Sequence, residues 1–273
     1  MQPREEKAMT ARAIWKGIIK VGSTELPVKL YSAVTERTVH FRLLHEKDKA
    51  PVKQKMVNPE TGEEVAYEAA KKAYPVGRGR LVLLDDEELE SLEPKESRDI
   101  EISRFVDPAD IDHRWYERPY YLGPDGNTPA YFALAEALEN KKKEAVAHWV
   151  MRKKRYIGSL VPEGGYLTLI TLRNAEEVID AEALKPPTGR PLEKREIAMA
   201  EQLVDALTDH FEPSRYRDEY RARVMELIET RARGGKVQLK VFRPKTTNED
   251  KLASALEASL AGVGKKKRAA SGR

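Results

Sequence analysis

Short stretches in which apolar and polar residues strictly alternate set the frame for this chain. Leu26, Val28 and Leu30 alternate with polar neighbours, as do Val39, Phe41 and Leu43, Ile100 with Ile102, and Leu167 with Leu169. A period of two buries one face of a strand and wets the other, so these stretches predict half-buried β-strands. Pro27 cannot donate to a ladder, so its strand is expected at a sheet edge or starting at that proline. Between His45 and Leu81 the pattern fades into a polar stretch holding Pro51, Pro59, Gly62, Pro75, Gly77 and Gly79. A loop this long is uncommon inside a compact domain and is usually functional or disordered. Asn58-Pro59-Glu60-Thr61-Gly62 is a turn signal near its middle. The stretch therefore reads as a ribbon projecting from the sheet. Its arms, of about 17 residues at roughly 3.3 Å each, reach about 56 Å when extended.

Helical signals interrupt the strands and then replace them. Acids from Asp85 favour a helix start running through Leu89 and Leu92. Thr128 is expected as an N-cap with Pro129 at the first helical position, followed by Tyr131, Leu134, Ala135 and Leu138 at helical spacing. After Pro191, Ile197, Ala200, Leu203, Val204 and Leu207 form one apolar stripe. Tyr216, Tyr220, Val224, Leu227 and Ile228 form a second, ended by Gly234-Gly235. Each stripe can pack on its own barrel or on a second subunit. Residues 245–260 suggest one more short helix.

The absence of cysteine excludes a disulfide framework, a thiolate zinc site and a cysteine nucleophile. No run approaches the roughly 18 apolar residues of a membrane span, and Met1 to Lys20 lacks the apolar core of a signal peptide. A soluble protein that stays where it is made, in the cytoplasm, is expected. The net charge of +4 conceals segregation. Asp85 to Glu117 holds thirteen acids against four bases, Lys141 to Arg155 seven bases against one acid, and Gly262 to Arg273 five bases and no acid. Basic faces attract polyanions, nucleic acid above all, although a charge run is as readily a solvated surface.

Catalytic signals are weak. None of His40, His45, His113, His148 and His210 belongs to an HExxH pair. Gly262-Val263-Gly264-Lys265 lacks the spacing of a phosphate loop. Asp85, Asp86, Glu87 and Glu88 could hold magnesium in a metal-dependent nuclease or phosphoesterase, which is the alternative function, but read better as acids at a helix start. Lys53 and Lys55, and Arg78 and Arg80, are spaced by two, which on an extended arm puts both charges of each pair on one face, suited to a phosphate backbone. Arg152-Lys153-Lys154-Arg155 falls at a turn between strands. No aromatic is interleaved with these bases for stacking, and no helix-turn-helix or zinc finger is present to read base edges. Contact with backbone rather than sequence is expected; an RNA-binding protein remains a further option.

Taken in order, several motifs resemble the bacterial Ku proteins. They are Ala11-Arg12-Ala13-Ile14-Trp15-Lys16-Gly17 with Leu26-Pro27-Val28-Lys29-Leu30-Tyr31-Ser32-Ala33, His45-Glu46-Lys47-Asp48, and Gly77-Arg78-Gly79-Arg80 leading to Leu89-Glu90-Ser91-Leu92-Glu93-Pro94. Arg118-Pro119-Tyr120-Tyr121-Leu122 and Phe211-Glu212-Pro213-Ser214-Arg215-Tyr216 complete the set. The pair of cysteines that many relatives carry in the ribbon is replaced here by Met56 to Gly62, so no metal site carries over. The resemblance implies an α+β, β-dominated fold: a Ku-like β-barrel with a long inserted ribbon acting as a bridge, and a C-terminal helical arm reaching across a dimer. The polar residues 1–11 read as a disordered tail, and the resemblance implies a barrel core at 12–190 with the bridge at 47–80, a helical arm at 191–240, and a partner-binding region with a basic tail at 241–273. It further implies a homodimeric, non-enzymatic ring without cofactor or metal, threaded by double-stranded DNA ends in bacterial non-homologous end joining. The other partner is the ATP-dependent end-joining DNA ligase, and the location is the nucleoid. The DNA-contacting set is expected among Lys16, Arg42, Lys53, Lys55, Arg78, Arg80, Arg152, Lys153, Lys154, Arg155, Lys265, Lys266, Lys267 and Arg268. The dimer interface is expected to draw on Leu203, Leu207, Tyr220, Val224 and Leu227.

Overall fold

The computed structural model describes residues 12–184 and 193–234. The expected tail at 1–11, the helix at 245–260 and the basic terminus with Lys265, Lys266, Lys267 and Arg268 lie outside the described residues. The chain divides into two units, the first ending at Ala183 and the second beginning at Leu184.

The first unit is a seven-stranded barrel with an insertion. Its strands are β1 (Trp15–Val21), β2 (Thr24–Ser32), β5 (Asp99–Val106), β6 (Tyr116–Pro124), β7 (Glu144–Met151), β8 (Lys154–Glu163) and β9 (Tyr166–Leu172). The insertion carries β3 (Lys72–Pro75), β4 (Leu81–Leu84) and the short helix α1 (Asp86–Ser91). The closed order is β1-β2-β6-β9-β8-β7-β5. Neighbours pair antiparallel except at the seam, where β1 and β5 run parallel from Ile18 opposite Asp99 to Lys20 opposite Glu101. Closure leaves no edge strand in the barrel.

The alternating residues face inward as the period requires. Ile19, Leu26, Val28, Leu30, Ile100, Leu122, Ala145, Ala147, Trp149, Leu160, Leu167 and Leu169 form the core. The helix α2 (Thr128–Lys141) adds Tyr131, Ala135 and Leu138, one apolar face at helical spacing. The buried side chain of Glu144 accepts hydrogen bonds from Tyr116 (2.8 Å) and from Ser159, so its polar group is enclosed together with its donors.

Several expectations are corrected. Pro27 lies inside β2, opposite Ile18, and is neither at an edge nor at a strand start. Its carbonyl accepts from Asp125 N on the β6 side, where the ladder begins only at Val28 opposite Pro124. In an antiparallel strand a residue's N–H and C=O point the same way, so the donor that proline lacks falls where β6 has ended. Val39, Phe41 and Leu43 alternate but form no strand, because they belong to the insertion and no neighbouring strand receives them. Thr128 is the first helical residue and Asn127 the N-cap, at φ 41°, a left-handed conformation that asparagine tolerates; Pro129 is second.

The second unit contributes α3 (Lys194–Leu207) and α4 (Glu219–Ala232). Gly234, at φ 79°, stands just past α4 as expected for a helix stop. Tyr216 precedes α4 and stacks on Phe211 at 5.1 Å between ring centroids, so it does not belong to the helical stripe.

Candidate nucleic-acid interface

The insertion leaves the barrel after Ser32 and returns at Asp99, and no residue from 34 to 98 is buried. It is three successive hairpin turns rather than one ribbon with two long arms. In the first, His45 N donates to Ala50 O and the Asp48 carboxylate accepts from Ala50 N and His45 Nδ1. The Ala50 amide, then the His45 ring, holds the Asp48 carboxyl below its ordinary range. In the second, Asn58 N donates to Glu63 O and Glu60 N to the Asn58 side chain, which is the turn expected at Asn58 to Gly62. The third joins β3 to β4, with Val76 N donating to Arg80 O. Gly77, Arg78 and Gly79 all have positive φ there, which the two glycines permit and the arginine between them resists.

This geometry separates residues that the spacing had joined. Arg78 and Arg80 sit in a tight turn, so they do not share one face of an extended arm, and they belong to a different hairpin from Lys53 and Lys55. Lys55 is bound to Glu64 at 2.6 Å. Lys16 is bound to Asp125 at 2.9 Å, and Lys153 to Glu93 at 2.9 Å with Glu90 close by. Arg42, Lys53, Arg78, Arg80, Arg152 and Arg155 make no ion pair among the described residues. Lys154 lies over the Tyr156 ring, 5.3 Å from its centroid.

Strained backbone coincides with these cations. Among the described residues, the non-glycine positions with positive φ are Lys49, Arg78, Asn127, Lys142, Arg152 and Lys153. Four of them, Lys49, Arg78, Arg152 and Lys153, are cations at hairpin turns. A left-handed conformation costs an L-residue roughly 1–2 kcal/mol, and such strain clusters at functional sites. Arg152 and Lys153 form the two-residue loop between β7 and β8, since Met151 pairs with Lys154. A loop of that length favours Asn-Gly, which this sequence forgoes in favour of two charges.

The acidic run has a structural use. Asp85 caps α1, its amide hydrogen-bonded to Glu88. Lys71 binds Asp85 and Lys72 binds Asp86, both at 2.8 Å, fastening α1 to β3. Hydrogen bonding to Lys72 holds the Asp86 carboxyl below its ordinary value. Among the described residues no group of three or more His, Asp or Glu side chains is arranged to hold a metal ion.

One feature escaped the sequence reading. Trp15 from β1 shares a cavity of about 610 Å³ with Lys16, Ser97, Arg98, Arg152 and Lys153. Positions far apart in sequence meet here because β1 pairs with β5, and β5 with β7. Barrel closure brings this aromatic beside Arg98, Arg152 and Lys153.

In the second unit, Leu207 and Tyr220 are 61% and 70% exposed, while Leu203, Val224 and Leu227 are half-buried. Both helical stripes therefore keep apolar surface in contact with solvent.

Comparison with known proteins supplies the family. A family model described as the Ku70/Ku80 beta-barrel domain matches residues 20–203, which take in nearly all of the barrel, the insertion and most of α3. "Non-homologous end joining protein Ku" of Anaeromyxobacter sp. (strain K) is 40% identical over 93% of this chain and 86% of its own length. "Non-homologous end joining protein Ku 2" of Geotalea uraniireducens is 37% identical over 93% of this chain and 100% of its own. The protein of the same name as the first from Mycobacterium tuberculosis is 34% identical over 91% and 93%. With the barrel, its insertion and the helical region all matched, the chain belongs to the Ku family.

Proposed function

We propose that this Ku protein acts in non-homologous end joining as a homodimeric ring. It is threaded by the ends of double-stranded DNA without sequence preference, performs no catalytic step itself, and recruits the ATP-dependent ligase that seals the joined ends. The observation that carries this reading is the insertion, in which no residue from 34 to 98 is buried. On one face of the β3–β4 hairpin lie Ala73, Pro75, Leu81 and Leu83, and on the other Tyr74, Val82 and Leu84. A two-stranded hairpin is marginal by itself, and exposed apolar surface on this scale calls for a partner. A second copy against the apolar surface and a polyanion against the uncompensated cations would satisfy both.

Arg42, Lys53, Arg78 and Arg80 on the insertion, with Arg152, Lys154 and Arg155 on the barrel, are the proposed contacts. They suit phosphates, which position a protein on DNA but carry no base information. The names of the relatives support the pathway, and the ligase follows from a pathway that must reseal strands. The alternative of a metal-dependent nuclease loses its support, because Asp85 and Asp86 are engaged by Lys71 and Lys72.

The test is binding to linear and to covalently closed circular duplex of equal sequence and length, at matched salt. Threading requires an end, so the linear form should bind firmly and the circle far more weakly. Equal affinity removes the ring.

A further inference from the structure

Trp15 opens β1 and packs half-buried against the core. Its ring lies across Gly17, where an added Cβ would come within 2.3 Å of it, so the glycine lets the indole lie close against the strand. The remainder of its surface lines the cavity of about 610 Å³ at the root of the insertion, where Ser97 and Arg98 lead into β5. Around this aromatic surface stand Lys16, Arg98, Arg152 and Lys153, with Glu96 as the acid among them. Lys16 and Lys153 are already compensated by Asp125 and Glu93. Arg98 and Arg152 make no ion pair among the described residues, and Arg152 is held there at φ 53°.

A flat apolar surface beside two guanidinium groups that no carboxylate pairs matches a planar base joined to a phosphate. Guanidinium forks grip phosphate oxygens in pairs, and an indole offers its face to any base. The volume falls within the range of roughly 300–1,000 Å³ of small-molecule pockets. A base inside a duplex hides both its faces against its neighbours and a terminal pair frees only its outer one, so the base free to turn onto an indole is an unpaired one. We propose that this cavity binds a nucleoside phosphate, its base stacked on Trp15 and its phosphate held by Arg98 and Arg152. The nucleotide it takes is an unpaired one at the end of a DNA strand. This rests on the reading that the insertion surrounds duplex DNA, since the cavity lies at its root.

The experiment uses the full chain with linear duplexes of one length whose ends are blunt, carry a short single-stranded overhang, or carry the same overhang made of abasic residues. The overhang with bases should bind about 5- to 150-fold more tightly than either other end, the range expected of one base stacked on an aromatic ring. It should also quench tryptophan emission. The Trp15→Leu variant should bind all three ends alike. Because Trp15 also packs on the core, the exposed pair Arg98→Gln/Arg152→Asn provides a second test without a packing change, and it too should lose the preference. Equal affinity of the parent for the three ends, without quenching, overturns the proposal, as does a preference that survives in the arginine variant. Deoxyadenosine monophosphate tests the other source of the same chemistry: saturable quenching by it, with no advantage for the overhang, overturns the assignment to DNA ends. The comparison of linear with closed-circular DNA is scored separately. The ring can therefore fail while the ratio among linear ends still reads out this cavity.

Discussion

Tyr131 has no exposed surface, and its hydroxyl bridges two barrel strands at the last pair of their ladder. It donates to Leu122 O and accepts from Leu167 N at 2.9 Å. Those residues are cross-strand partners at the end of the β6–β9 ladder. Replacing the hydroxyl leaves a buried N–H and a buried C=O without partners, and each such group costs about 1–3 kcal/mol. Tyr131→Phe should therefore lower the denaturant midpoint of the barrel markedly although it removes one atom; an unchanged midpoint means the two groups find other partners. Tyr116 offers a pH-dependent counterpart. Burial, then its hydrogen bond to Glu144, pushes its phenol above the ordinary value. A group whose folded pKa is raised contributes stability that is complete below its unfolded value, about 10 for tyrosine, and is lost as pH rises through the folded one. Tyr116→Phe should be less stable than the parent at neutral pH and lose less further stability under alkali. Parallel alkaline unfolding curves for the two proteins would contradict this. The buried tyrosine at 131 was legible as part of a helical stripe, but its hydroxyl's role was not. The partners, Leu122 and Leu167, come from two strands whose register no local pattern reveals.

Among the elements, the β7–β8 hairpin shows a local rule broken for charge. Arg152 and Lys153 both adopt positive φ in a two-residue loop, where Asn-Gly fits without strain. Arg152→Asn/Lys153→Gly should stabilise the protein by about 1–2 kcal/mol in equilibrium unfolding, relieving left-handed strain, while the exposed pair of Lys153 with Glu93 is worth at most about 1 kcal/mol. A loss of stability would show that the charges, not the backbone, hold this turn. The strands themselves were readable because alternation is enforced wherever one face meets the core. The insertion was readable as an insertion, from its proline and glycine content, but not as three hairpins. Nothing buried anchors it, so no periodicity marks where each turn falls. The same uncertainty separated Lys53 from Arg78 and Arg80, which spacing had set on opposed arms. Their effect on DNA binding should now be independent. Each neutralised phosphate adds about 0.9 to the salt slope on B-form DNA. Lys53→Gln/Arg78→Gln/Arg80→Gln should lower that slope by up to about 2.7 and reduce affinity, with the fold intact. A slope equal to the parent's would place DNA away from the insertion.

For the molecule as a whole, the apolar surface left in solvent argues for assembly. Phe41, Leu43, Leu81 and Leu83 on the insertion are each 65–68% exposed, and Val204, Leu207, Phe211 and Tyr220 in the second unit are each 61–75% exposed. A monomer seldom tolerates so many large apolar side chains in water, and a closed dimer would require the same patch on both copies. Sedimentation at micromolar concentration without DNA should therefore give twice the chain mass of 31.0 kDa. Two variants divide the interface. Leu81→Asp/Leu83→Asp tests the β3–β4 hairpin, and Leu207→Asp/Tyr220→Asp tests the helical stripes. These side chains are exposed within their own units, so a polar replacement should cost the fold within about 0.5 kcal/mol, and unfolding midpoints near the parent's should accompany either change. If both surfaces serve the dimer, each variant sediments at a higher proportion of single chains. If only the hairpin variant dissociates, closure rests on the insertion and the helical stripes serve another contact. The parent as a monomer at that concentration would count decisively against the ring, whatever its affinity for DNA, because a single barrel with one insertion has no second half to close around a duplex.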